Sequence, residues 1–183
     1  MKLPNIKILE ENDKRLHQVS EEVKFPLDDK TIQTIYDALD YLEMSQDEEL
    51  AKKYDLRAGM GLSFCQIGIM KRIFVVSEDF GDGTFGRYVV INPKIISHSE
   101  ELIYVGEGEG CLSVNRPTVG IVPRYARMKI KAYDEHGEEY IIRVREEIAI
   151  AFQHEMDHLD GILFVDKIDK KNPFKDKDKM REI

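Results

Sequence analysis

The sequence predicts an α+β domain, on three observations. Apolar residues recur at helical spacing from Asp28 to Met44, and an alternating pattern from Met128 to Val144 brackets a turn. An apolar stretch from Ile148 to Phe152 leads into two histidines spaced i, i+4, which share one face of a helix.

Along the chain, Ile32, Ile35, Leu39 and Leu42 form the stripe of one long amphipathic helix, with Asp28 or Asp29 as its cap. Ser45 to Arg57 is charged and reads as a second short helix or an inserted loop. From Gly59 to Gly68 glycines alternate with apolar residues around Gln66, the pattern of a strand edge that another backbone approaches closely. Ile73 to Ser77 and Tyr88 to Asn92 are β-branched runs, the first followed by Gly81-Asp82-Gly83 and the second ended by Pro93. Met128, Ile130 and Ala132 alternate with Lys129, Lys131 and Tyr133. With Tyr140 to Val144 they flank Asp134-Glu135-His136-Gly137 as a hairpin. The stretch from Lys167 to Ile183 mixes Lys and Asp around Phe174 and reads as a charged, solvated or frayed, partly flexible tail. No repeat or low-complexity segment divides the chain, so residues 1–183 are expected to form a single domain.

At 183 residues and 42% hydrophobic content the chain can bury a sizeable core. A net charge of −8 argues against direct nucleic-acid binding, because phosphate contact needs a basic face. No apolar run is long enough to span a bilayer, so no membrane partner is expected. The start Met1-Lys2-Leu3-Pro4-Asn5 lacks the apolar core of a secretion signal. A cytoplasmic location follows as the expectation, with Cys65 and Cys111 reduced.

His154-Glu155-Met156-Asp157-His158 is the most informative stretch. Side chains at i and i+4 are offset by only ~40° around a helix, so both imidazoles reach one cation. Glu155 sits beside the first, placed to handle protons on water without being a ligand. The downstream Gly161 follows the metzincin protease pattern, but Phe164 stands where that pattern needs a third histidine. Upstream, Glu109-Gly110-Cys111-Leu112-Ser113 offers a cysteine in a glycine-bearing turn. Cys111 reads as a thiolate ligand, a small buried hydrophobe, or a nucleophile with a histidine as base. Cys65 has no charge partner in the sequence and reads as packing. His136 lies in a turn, His17 and His98 among polar residues, and none of the three is assigned a role.

Taken together, these segments resemble the peptide deformylase family, in its longer bacterial class. That family's pattern is G-x-G-x-A-A-x-Q, then E-G-C-L-S, then H-E-x-D-H. The second and third are complete here as Glu109 to Ser113 and His154 to His158. In the first, Gly59, Gly61 and Gln66 match, while Ser63 and Phe64 occupy the two alanine positions. Phe64 must be absorbed by nearby packing or must narrow a pocket.

The resemblance implies mostly antiparallel sheets packed around a central metal-binding helix carrying H-E-x-x-H. It implies Cys111, His154 and His158 as metal ligands, Glu155 as general acid/base, and Gln66 with the backbone N–H of Leu112 as donors to the oxyanion. Gly61 would pair with the substrate peptide. The implied reaction removes the N-formyl group from N-formyl-methionyl nascent peptides and releases formate. One divalent ion is implied, Fe2+ by resemblance, with Zn2+, Ni2+ or Co2+ in isolated protein, and work on nascent chains admits a transient ribosome contact. Two rivals are a different amidase or peptidase with the same geometry, and a noncatalytic metal- or peptide-binding relative. Glu155 argues against the latter, because a structural metal site needs no such carboxylate.

Overall fold

In the computed structural model, which describes residues 2–183, three helices and eight strands follow the expected α+β plan. Helix α1, Asp29–Gln46, starts at Asp28, whose side chain accepts from the Thr31 N–H as an N-cap. Helix α2, Glu48–Tyr54, fills the charged segment left open between helix and loop. The strands are β1 Gly61–Ser63, β2 Ile73–Asp79, β3 Phe85–His98, β4 Leu102–Tyr104, β5 Arg124–Tyr125, β6 Arg127–Tyr133, β7 Glu139–Arg145 and β8 Arg181–Glu182. Helix α3, Glu146–Leu159, carries both histidines of the H-E-x-x-H pattern.

The main sheet has the order β1-β2-β3-β6-β7, antiparallel throughout. Strand β2 explains how it is packed. Phe74 and Val76 join a cluster with Ala149, Phe152 and Leu159 of α3, while Ile73 and Val75 join one with Ile35, Leu39 and Leu42 of α1. Because neighbouring residues of a strand point to opposite faces, a strand covered on both sides needs an unbroken apolar run, and Ile73 to Val76 supplies it. Full burial of each such side chain contributes roughly 1.5–3 kcal/mol.

Two differences from the sequence expectation concern strand ends. Strand β3 does not stop at Pro93 but runs on to His98. The pairing of β3 with β6 shifts register between Ile91 and Lys94, and Asn92 there takes a left-handed φ of 50°. A proline at such a bulge costs no ladder hydrogen bond. The tail, in turn, ends in β8, parallel to β4 in a small sheet ordered β5-β4-β8. Its side chains are exposed, yet Arg181 forms ion pairs with Glu101 and Glu146. Charge balance along the tail hid this pairing, because its partners lie far off in sequence.

Candidate active site

Three elements meet at the site. Strand β1 is an edge of the main sheet, so one side of its backbone is free of strand partners. Helix α3 lies under it, and the loop from Gly106 to Ser113 closes the third side. They enclose a cavity of about 300 Å³ whose walls include Gly59, Gly61, Gln66, Cys111, Leu112, His154 and Glu155. Met60, Val105, Ile150 and Ala151 make part of its wall apolar. No helix is long and apolar enough to cross a membrane among the described residues.

Ligand atoms of Cys111, His154 and His158 lie within 4.8 Å of one another. Glu109 accepts a 2.9 Å hydrogen bond at His154 Nδ1, which leaves Nε2 of that ring for the cluster. His158 Nε2 is 3.4 Å from the Cys111 sulfur, and its Nδ1 is buried without a hydrogen-bond partner among the described residues. The electrostatics separate the two rings. Burial pulls His154 down, but its bonds to Cys111 and Glu109 outweigh that and lift its pKa to about 10. Burial, then the neighbouring charges of His154 and Arg124, push His158 well below the usual histidine range. A soft sulfur and two imidazoles, converging with only His154 partly exposed, fit one divalent cation of the zinc or ferrous kind.

Glu155 is outside this cluster. It is 4% exposed, and burial raises its pKa above the ordinary carboxylate value. Ser63 donates a 2.7 Å hydrogen bond to its Oε2. Gly61 is needed where it stands, because a Cβ there would lie 2.6 Å from Glu155 Oε1. Gln66 is oriented from both ends. Its Oε1 accepts from the Ser63 N–H at 2.9 Å, and its Nε2 reaches Ser113 Oγ at 3.0 Å and the Cys111 sulfur at 3.7 Å.

The sequence reading missed Arg124. Only 1% exposed, it bonds Glu109 through two nitrogens and Asp157 through a third. Burial favours a neutral Glu109, but Arg124 and His154 overcome it and hold the carboxyl down at about 2. The signal was a single arginine ending the apolar Ile121-Val122-Pro123 run, a place where an unpaired charge would be costly. Arg57 anchors the same loop by donating to the backbone carbonyls of Cys111 and Val114, both at 3.2 Å.

Phe164, in the position of the absent third histidine, packs at a 5.8 Å ring separation against His154. Phe64 is fully buried in the cluster under α1, so packing absorbs it. Cys65 is also fully buried, beside Leu16 and Leu163, with its thiol pushed up to about 12 chiefly by burial. Both cysteines are free. His136 is exposed, His98 stacks on Tyr125, and His17 bonds the Glu11 carbonyl; none lines the cavity.

Comparison with known proteins agrees with this geometry. The family model described as polypeptide deformylase matches residues 6–174. Peptide deformylase 2 of Bacillus cereus is 46% identical over 167 residues, covering 91% of this chain and 91% of the relative. The peptide deformylase of Shouchella clausii is 46% identical over 169 residues, 92% of each chain. The crystal structure of peptide deformylase from Thermotoga maritima superposes with a TM-score of 0.71 at 31% identity, covering 90% of this chain and 97% of that one. A deformylase from Synechococcus elongatus, solved in complex with actinonin, gives 0.73 at 31% identity over 93% of this chain and 84% of that one. With a family match across almost its whole length and relatives this similar, the chain belongs to the polypeptide deformylase family.

Proposed function

We propose that the cavity hydrolyses the N-terminal formamide of N-formyl-methionyl polypeptides, with Cys111 of the loop and His154 and His158 of helix α3 holding one divalent cation between them. As a family member the chain is a metal-dependent hydrolase that removes the N-formyl group from newly made polypeptides. The observation that carries the residue assignment is the convergence of those three donors on a cavity that also holds Gln66 and Glu155.

When bound, the cation supplies Lewis-acid polarisation of the carbonyl and a water of lowered pKa. The chain's own residues do the rest. Glu155, with its pKa raised by burial, takes the proton of the attacking water and delivers it to the leaving amine. Gln66 Nε2, aimed toward the Cys111 sulfur, donates to the developing oxyanion together with the Leu112 N–H. The open edge of β1 at Gly61 accepts the peptide backbone as an added strand. Val105, Leu112, Ile150 and Ala151 offer apolar wall for the methionine side chain.

Ferrous iron is the proposed cation, from the family resemblance, with zinc, nickel or cobalt as occupants of isolated protein; this donor set accepts each. We also propose one catalytic domain over residues 1–183, a cytoplasmic location, transient contact with the ribosome during synthesis, and no specific nucleic-acid binding. Anaerobic purification with metal analysis, followed by formate release from formyl-methionyl peptides, tests the function. A metal-loaded protein that releases no formate would refute it.

A further inference from the structure

We propose that Ser63 is a positioning residue of the reaction, its hydroxyl locking the Glu155 carboxylate with Oε1 against Gly61 at the cavity wall. The proposal rests on the reading of Glu155 as the acid/base group. It stands on geometry. Ser63 and Glu155 are 0% and 4% exposed, and Ser63 Oγ lies 2.7 Å from Glu155 Oε2. Among the described residues no other group donates a hydrogen bond to that carboxylate.

A glutamate's terminal torsion is broad and nearly two-fold, so burial alone does not set the direction in which its oxygens point. Here two contacts do. The Ser63 hydroxyl holds Oε2, and the backbone of Gly61 abuts Oε1 so closely that a Cβ would be 2.6 Å away. The hydroxyl also lies 3.0 Å from Glu155's own carbonyl oxygen, which ties it to the helix backbone as well as to the carboxylate.

Ser63 also holds the other working side chain, by a separate atom. Its backbone N–H donates to Gln66 Oε1 at 2.9 Å, and the pairing of Ser63 with Phe74 of β2 keeps that backbone in place. One residue therefore orients the acid/base through its side chain and the oxyanion donor through its main chain. Ser63→Ala removes the first function and spares the second. The side chain does not line the cavity, so substrate binding is not expected to change.

The test measures kcat, KM and metal content of anaerobically loaded enzyme on formyl-Met-Ala-Ser. It compares Ser63→Ala, Ser63→Thr, Glu155→Gln and the double variant Ser63→Ala/Glu155→Gln. Loss of a charge-assisted bond in a buried site predicts a kcat lower by on the order of 10- to 100-fold for Ser63→Ala, with KM and metal content unchanged. Ser63→Thr, which restores a hydroxyl, should recover most of it. In the Glu155→Gln background, removing the Ser63 hydroxyl should change the residual rate by less than about 2-fold, because the two residues act as one unit. A merely structural serine would instead give the same fractional loss in both backgrounds, and that result overturns the proposal whether or not Ser63→Thr folds. Wild-type kcat in Ser63→Ala beside a slow Glu155→Gln overturns it alone. Normal turnover in Glu155→Gln removes the acid/base reading and the proposal with it.

Discussion

Glu109 Oε1, on a buried side chain, lies 2.9 Å from Nδ1 of the half-buried His154. That bond sets which nitrogen of His154 faces Cys111 and His158. Glu109 is itself held by two nitrogens of Arg124, whose third reaches Asp157 on the same helix. The loop and the helix that supply the three donors are thus locked to each other through one buried cation.

Glu155→Gln should retain its metal and lose deformylation by on the order of 10²-fold or more, as expected for removing acid/base help. Formate release and metal analysis on the same sample check it. Near-normal turnover in a folded, loaded variant would remove Glu155 from the mechanism.

Cys111→Ser should weaken metal retention, because a hydroxyl is a poorer ligand than a thiolate for a soft or borderline ion. The unmodified enzyme should accumulate no formyl-thioester during turnover. Mass-spectrometric trapping of that species would favour a cysteine nucleophile instead.

The Glu109 carboxyl, held at about 2 against an ordinary 4.5, predicts a pH dependence of stability in metal-free protein. A depressed folded-state pKa means the stabilisation is complete above about 4.5 and is lost as pH falls toward about 2. Over that window unfolding free energy should fall by a few kcal/mol, on the order of the shift itself. Denaturant melts of wild type and Glu109→Gln between these limits compare the slopes. Equal slopes would show that Glu109 is not the group responsible.

Formyl-Met-Ala-Ser should exceed formyl-Gly-Ala-Ser in kcat/KM by on the order of 10-fold or more, since burying a methionine side chain contributes roughly 1.5–3 kcal/mol. The acetyl-Met-Ala-Ser analogue should be a poor substrate, because its extra methyl crowds the donors at the cavity floor. Equal efficiencies for all three would make a general amidase the better account.

The sequence by itself determined what local periodicity can encode. The stripe Ile35, Leu39 and Leu42, the alternation from Met128 to Ala132, and the i, i+4 spacing of His154 and His158 each dictate an element or a shared face. The order of glycine, cysteine and histidine motifs carried the family. Tertiary structure decided what depends on contacts between distant segments. Ser63 meets Glu155 across 92 positions of sequence, Arg124 meets Glu109 and Asp157 across 15 and 33, and the tail meets β4. None of these pairings has a local period, because a hydrogen bond between remote segments leaves no trace in spacing. Ser63 looked in the sequence like a departure from a pattern, and only the packing of β1 on α3 made it a partner of the buried carboxylate.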